Sequence, residues 1–213
     1  MQKDKHYISQ GSSKTNSYWY LTLQLYYLFN NLYFLLNKIA LSFVKNYLMS
    51  MYRLMAKQAL PISRQDVWEF LSDPANLKVI TPPAMGFEIL SGADRPMFPG
   101  QIIQYKVHPF PGYTSKWVTE ITHVKDGSYF VDEQRFGPYA LWHHKHFINE
   151  IDGGIEMEDV IDYKLPLGIL GQWAHPLIVK KQLITIFNFR EKQLEARFGC
   201  LDKMKNSLVI KKV

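Results

Sequence analysis

The sequence predicts an α+β domain: a first strand, two short helices, a long antiparallel meander and a long C-terminal helix. Three observations carry that reading. Between Gly86 and Tyr163 six runs of alternating or β-branched residues are separated by Gly, Pro and Asp turn signals. The stretch after the first strand breaks at Asp73-Pro74. From Ile169 to Gly199 the apolar residues recur at helical spacing.

In chain order, residues 1–17 are polar and read as structureless, and Tyr18 to Val44 is then rich in Leu, Tyr and Phe. Those 27 residues contain Gln24, Asn30, Asn31, Asn37 and Lys38, whereas a spanning helix wants about 20 predominantly apolar residues. Residues 1–50 are therefore read as an N-terminal extension. The Phe, Tyr, Asn, Lys, Ile and Leu that fill it are residues AT-rich codons specify, and Met49, Met51 and Met55 are candidate starts, so upstream translation is one expectation. A weak membrane anchor is the other. Met51 to Leu60 reads as the first strand. Ser63 is suited to cap a helix over 64–72, with Ile62 and Val67 as a hydrophobic staple and Val67, Phe70 and Leu71 as its buried stripe. Pro74 then opens a second short helix through Ile80. The meander is expected at Gly86–Leu90, Gln101–His108, Ser115–His123, Ser128–Arg135, Leu141–Ile151 and Gly154–Tyr163. Pro176 either kinks the final helical segment or begins a second helix inside it. Leu183, Phe187, Leu194 and Phe198 form its apolar stripe, with Lys180, Lys181, Arg190, Glu191 and Glu195 as polar flanks. Residues 200–213 are left as a basic C-terminal tail.

The chain of 213 residues, 47% hydrophobic and 15% aromatic, is long enough for a sizeable core. Its net charge of +6 is unevenly placed. Residues 1–50 hold five Lys and one Asp, and residues 201–213 hold four Lys and one Asp, so 51–200 is close to neutral. A nucleic-acid domain would carry clustered basic residues on its folded part, and no such cluster is visible, so no nucleic-acid partner is expected. Cys200 is the single cysteine, which excludes an intrachain disulfide and fits a reducing, cytoplasmic location. Membrane contact is expected only through Tyr18–Val44.

Several segments carry a family resemblance. They are Lys57 to Ser63 (K-Q-A-L-P-I-S), Asn76 to Pro83, Trp117 to Ile121, Phe130 to Pro138, Trp142 to Phe147 and Tyr163 to Gly168. Together with the element order, they make residues 52–199 resemble the START and polyketide-cyclase superfamily, also called SRPBCC, and within it the small bacterial ligand-binding members. The resemblance implies a helix-grip fold, in which a curved antiparallel sheet of about seven strands wraps a long C-terminal helix. It also implies a deep cavity between sheet and helix, used in different relatives for lipids, sterols, quinones, polyketides or plant hormones. Some relatives are cyclases and many are carriers, so the fold leaves the reaction open. The domain is placed at 51–199.

The most informative stretch is Phe130 to Phe147. Side chains on a strand switch faces at every residue, so Phe130, Asp132, Gln134 and Phe136 share one side, as do Trp142, His144 and His146. Polar and aromatic groups mixed on one face suggest a wet pocket rather than a plain core. By the same alternation Trp117 and Thr119, and Met157 and Asp159, look inward, opposite Phe187. These twelve residues are the expected ligand contacts, with Asp132, Gln134, His144 and His146 orienting the ligand's polar end. The expected ligand is a small hydrophobic or amphipathic molecule such as a lipid, quinone or polyketide. Asp132 with His144 or His146 also has the composition of an acid–base pair, which makes these three the candidate catalytic residues of a cyclase- or dehydratase-like enzyme. The same three offer nitrogen and oxygen donors that zinc accepts, but spacing fixes no further ligand, so no metal and no cofactor is assigned. His143 faces the opposite way, and His175 reads as a helix-entry residue.

Overall fold

A computed structural model of the chain describes residues 14–48, 50–110, 112–201 and 205–213. It divides into two compact units, Met1–Asn46 and Tyr47–Val213. A single helix, α1 (Lys14–Leu48), accounts for the described part of the first. Lys14 to Ser17 are thus helical rather than structureless, and residues 1–13 lie outside the described residues. From Trp19 to Leu41 the large side chains of α1 are exposed all round, and no helix among the described residues is long and apolar enough to cross a membrane.

In the second unit, strand alternation decides which side chains turn inward. Along β7 (Gly154–Lys164), Ile155, Met157, Asp159, Ile161 and Tyr163 are all buried, while Glu156 and Glu158 face out. Lys57 meets that outer row, 2.8 Å from Glu156, and Arg53 reaches Asp162 at 2.6 Å. The strand pairs on both sides, with β6 (Leu141–Ile151) and with β1 (Tyr52–Leu60). Completing the sheet are β2 (Glu88–Ser91), β3 (Gln101–Phe110), β4 (Tyr113–Lys125), β5 (Tyr129–Phe136) and β8 (Ser207–Lys212). The order is β2-β3-β4-β5-β6-β7-β1-β8, and every neighbouring pair is antiparallel.

Between β1 and β2 lies α2 (Arg64–Leu71), whose cap is formed as the sequence predicts: the Asp66 N–H donates to Ser63 Oγ at 3.1 Å. Val67, Phe70 and Leu71 are its buried face. Pro74–Lys78 forms a 3₁₀ turn, capped by Asp73 accepting from the Ala75 N–H, in place of the helix expected through Ile80.

After β7 the chain is helical from Gly168 to Phe198 in three pieces: α3 (Gly168–Ala174), a π segment (His175–Val179) and α4 (Lys180–Phe198). Pro176 has no N–H to donate, and the Lys180 N–H bonds to the His175 carbonyl five residues back. The helix is therefore widened at Pro176, neither broken nor restarted there. His175 lies inside the helical segment, between α3 and the π turn, rather than at a helix entry, and it is buried: its ring stacks on Tyr52 with centroids 3.6 Å apart, and its Nε2 lies 2.7 Å from the Tyr163 hydroxyl.

Two of the three apolar clusters among the described residues include the C-terminal helical segment. One joins Leu60, Val67, Phe70, Phe130, Ile148, Met157 and Leu194, and the other joins Leu54, Ile161, Tyr163, Val179, Leu183 and Phe187. Each fully buried Leu or Ile contributes about 1.5–3 kcal/mol relative to exposure.

The expected basic tail is corrected by β8. Ser207 to Lys212 pair with β1 along Lys57–Tyr52, raising the sheet from about seven strands to eight. Asn206 ties this strand's start to the rest: its Oδ1 accepts from the Ala59 N–H at 3.1 Å, and its Nδ2 donates to Glu191 and Glu195 at 3.0 Å each. Removing one partner of a part-buried hydrogen bond strands the other. Asn206→Ala is expected to lower the unfolding free energy by about 1–3 kcal/mol, read from urea titration, while the exposed Val209→Thr stays within about 0.5 kcal/mol.

Candidate functional site

Four elements bring five ionisable side chains together between the two apolar clusters. Register does most of the work: Asp132 on β5 lies opposite His144 on β6, and His146 lies opposite Asp159 on β7. Arg190 completes the group from α4. The spacing Leu183, Phe187, Arg190, Leu194 puts the guanidinium on the buried face of the helix, where it is 7% exposed.

The carboxylates and imidazoles form a box. His146 Nε2 lies 2.9 Å from Asp132 Oδ2, and His144 Nε2 lies 3.1 Å from Asp159 Oδ1. The remaining nitrogens face the same two oxygens: His144 Nδ1 is 3.5 Å from Asp132 Oδ2, and His146 Nδ1 is 2.7 Å from Asp159 Oδ1 without hydrogen-bond alignment. The two rings have centroids 3.6 Å apart, and His146 stacks on Phe130 at 4.0 Å. Arg190 Nη1 approaches Asp159 Oδ1 at 3.4 Å, and its Nε has no protein partner among the described residues.

Burial alone would neutralise these groups, and the pairing decides which stay charged. Burial pushes both carboxyls up. The charge of His144 and the contacts from His146 outweigh it at Asp132, and Arg190 together with both imidazoles holds Asp159 well below the usual carboxylate range. Burial lowers His144 to about 4, reinforced by the positive charge of His146. The same burial is overcome at His146 by its hydrogen bond to Asp132 and by the nearby Asp159 carboxylate, and its pKa rises. At neutral pH the layer therefore holds two carboxylates, one guanidinium, the neutral imidazole of His144 and the His146 ring, whose pairing favours its charged form; with His146 protonated the charges cancel.

This layer forms one side of a cavity of about 200 Å³. The other walls come from Phe70, Leu77 and Ile80, from Tyr105 and Val107 on β3, from Trp117, Thr119 and Ile121 on β4, and from Leu183, Ile186 and Phe187 on α4. Trp117, Tyr139 and Trp142 make an aromatic corner with ring centroids 4.7–5.8 Å apart. The Trp117 Nε1–H donates to Thr119 Oγ1 at 3.0 Å. Burial raises the Tyr105 and Tyr139 hydroxyls, with the Asp132 charge adding to the effect at Tyr105, so both remain protonated donors. Neither hydroxyl has a partner among the described residues.

Of the residues singled out in the sequence, Trp117, Thr119, Phe130, Asp132, Trp142, His144, His146 and Phe187 line this space. Four do not. Gln134 clamps the β5–β6 turn, donating to the Tyr139 carbonyl at 2.7 Å and accepting from the Tyr139 N–H. Gly137 makes room for that amide, since a Cβ there would lie 2.4 Å from Gln134 Oε1. Phe136 is 72% exposed: the β4–β5 register shifts between Thr119↔Gln134 and Val118↔Phe136, which breaks the alternation before it, and the β5–β6 pairing has already ended at Glu133 and His143. Met157 is buried in an apolar cluster, and Asp159 sits behind the two histidines. Sequence reasoning missed Arg190, Tyr139 and Gln182 as wall residues. Asp132, His144 and His146 bring donor atoms within 4.8 Å of one another, a spacing a metal ion accepts, although both carboxylates already have counter-charges in His146 and Arg190.

Comparison with solved structures places the architecture. The Zhui aromatase/cyclase from a Streptomyces species superposes with a TM-score of 0.54 at 15% identity, covering 69% of this chain and 95% of the other. Ginseng major latex-like protein 151 from Panax ginseng gives 0.52 at 12% identity, over 70% and 97%. Protein Ms6760 from Mycobacterium smegmatis gives 0.50 at 20% identity, over 68% and 92%. No protein-family model and no curated protein matches the sequence. The chain thus shares the helix-grip fold of these proteins, in the α+β form the sequence resemblance implies.

The unequal histidines have a measurable signature. In a ¹⁵N titration His146 is expected to move from neutral to imidazolium shifts at a higher pH than His144, which is expected to keep neutral shifts at pH 7. Stability follows the same chemistry. His144 titrates near 4 in the fold and near 6.5 when unfolded, so in that window the unfolded chain binds the extra proton and stability falls as pH drops. His175, lowered to about 4 by burial and by Lys180, adds a second step. His146 is charged in both states there, and its contribution is lost only as pH rises through its raised value. Urea titrations between pH 6.5 and pH 4.5 are expected to show a loss that His144→Gln reduces by up to about 1.4 kcal/mol per pH unit.

Proposed function

We propose that the cavity binds a small amphipathic molecule, for carriage or sensing, with its apolar body among Phe70, Leu77, Ile121, Leu183 and Ile186 and its polar end toward Asp132, His144 and His146. The observation that carries this reading is the cavity itself: apolar walls on most sides and one polar layer whose internal charges are already balanced. A balanced layer does not demand a charged ligand. The unpartnered Tyr105 and Tyr139 hydroxyls and Arg190 Nε supply donors for carbonyl or hydroxyl oxygens, and such convergent polar groups in an apolar pocket fix orientation. Lipids, quinones and polyketides all fit that description.

A second reading, a cyclase- or dehydratase-like enzyme, is favoured by one observation. The His144 and His146 rings lie with centroids 3.6 Å apart and their surroundings shift them in opposite directions, so the same wall offers a group that favours holding a proton beside one that favours accepting it. With an enolisable carbonyl substrate, His146 would give a proton to the oxygen while His144 takes one from carbon. Asp132 would hold His146 in its charged form.

The two readings separate experimentally. Native mass spectrometry of the full chain is expected to show a co-purifying apolar molecule. Ile186→Trp, which fills the cavity, should abolish its retention without lowering the melting temperature. If delipidated protein shows no saturable uptake of lipid, quinone or polyphenol probes, the binding reading fails. For an enzyme, His146→Gln should cut turnover of a polyketide-like carbonyl substrate by about 10²–10⁴-fold while leaving ligand retention intact.

A further inference from the structure

The first turns of the C-terminal helical segment carry an apolar ridge that the cavity does not use. Leu167, Leu170, Trp173, Leu177 and Ile178 are 50–78% exposed, five large side chains within twelve residues. Leu170, Trp173 and Leu177 share one face at helical spacing, and Lys181 continues that row one turn on. No Asp or Glu occurs between Asp162 and Glu191, while Lys164, Lys180 and Lys181 lie in that interval.

The ridge is held rather than loose. Its opposite face, Gln172, His175, Val179 and Leu183, is buried. Tyr52 OH donates to Gln172 Oε1, and His175 is fixed between Tyr52 and Tyr163. Gly171 lets α3 lie against the preceding chain, because a Cβ there would meet the Pro166 carbonyl oxygen at 2.1 Å. Leu167 is the one non-glycine residue with positive φ among the described residues, at 63°, and it is 78% exposed. A leucine in the left-handed region with its side chain in water gains nothing from either within the monomer.

We propose that Leu167, Leu170, Trp173, Leu177 and Ile178 dock the protein reversibly on the surface of an anionic bilayer, with Lys180 and Lys181 meeting the headgroups. The chemistry favours a bilayer over a second copy of the chain. Leu and Trp on one face with lysines at its margin and no carboxylate is the pattern of an interfacial helix, in which Trp sits at headgroup level and Lys reaches outward. A two-fold contact through the same ridge would bring Lys181 of one copy toward the lysines of the other. The surface also adjoins the cavity, since Gln182, Leu183 and Ile186 follow within the next turns and line it. Docking by this ridge is independent of Tyr18–Val44, and it stands whether or not the cavity takes an amphipathic ligand.

The test uses the full chain and vesicles of about one part phosphatidylglycerol to three parts phosphatidylcholine. Wild type is expected to co-sediment with them and to bind less as salt rises. The variant Leu170→Glu/Trp173→Glu/Leu177→Glu, altered only at exposed positions, should melt as wild type does and lose binding by about tenfold or more, and Lys180→Glu/Lys181→Glu should weaken it while raising no melting defect. Lipids brominated near the headgroup should quench wild-type fluorescence more than that of Trp173→Phe. Absence of vesicle binding by wild type, or equal binding by the triple variant, overturns the proposal. So does a wild-type dimer that the triple variant dissociates without any vesicle binding, which would give the ridge to a second copy.

Discussion

The interior is arranged around one oxygen atom. Asp159 Oδ1 receives His144 Nε2 at 3.1 Å, His146 Nδ1 at 2.7 Å and Arg190 Nη1 at 3.4 Å, so a central strand, its neighbour and the long helix converge on a single negative charge. Buried charges of this kind cost several kcal/mol each to desolvate, and they persist only where partners are placed to compensate. The placement constrains everything nearby. A one-residue slip between β6 and β7 would turn both imidazoles to the convex face, and a rotation of α4 would withdraw the guanidinium. The polar layer is thus weak evidence for stability and strong evidence for a defined arrangement of sheet and helix.

That layer also explains why the cavity lies where it does. Along β7 the inward residues run Ile155, Met157, Asp159, Ile161, Tyr163, and along α4 they run Leu194, Arg190, Phe187, Leu183. Each element is apolar, then charged, then apolar again. These two clusters are separated by the charged level, and the space beside it is bounded by carboxylates that already face cationic partners.

Strand alternation made much of this legible from sequence. β6 was predictable to its ends, Leu141–Ile151, and alternation alone put His144 and His146 inward. What alternation does not carry is distance along a strand. By simple alternation Gln134 and Phe136 would share a face with Asp132, but both lie past the last β5–β6 pair and a register shift against β4 falls between them. Met157 has the right face and stands two residues, about 7 Å, from Asp159, which is enough to move it from the polar level into an apolar cluster. Arg190 was hidden by its type: a charged residue on a helix reads as solvated unless its spacing from Leu183 and Phe187 is given priority. β8 was hidden by its lysines, which suit the outer edge of a sheet and disguise the Leu208–Ile210 alternation.

The widened turn at Pro176 gives the helical segment two angular phases. Buried positions advance His175, Val179, Leu183, Phe187, three steps of four residues, and on an ideal helix each such step drifts by about 40°. The π geometry over His175–Val179 turns the chain through less angle per residue and absorbs part of that drift. The two ends of the segment are in effect indexed separately. Upstream, the phase turns Gln172 to the core and Trp173 to solvent; downstream, it brings Arg190 over Asp159. A single turn of helix thereby acts as the gear between an outward-facing surface and the charge at the centre of the sheet.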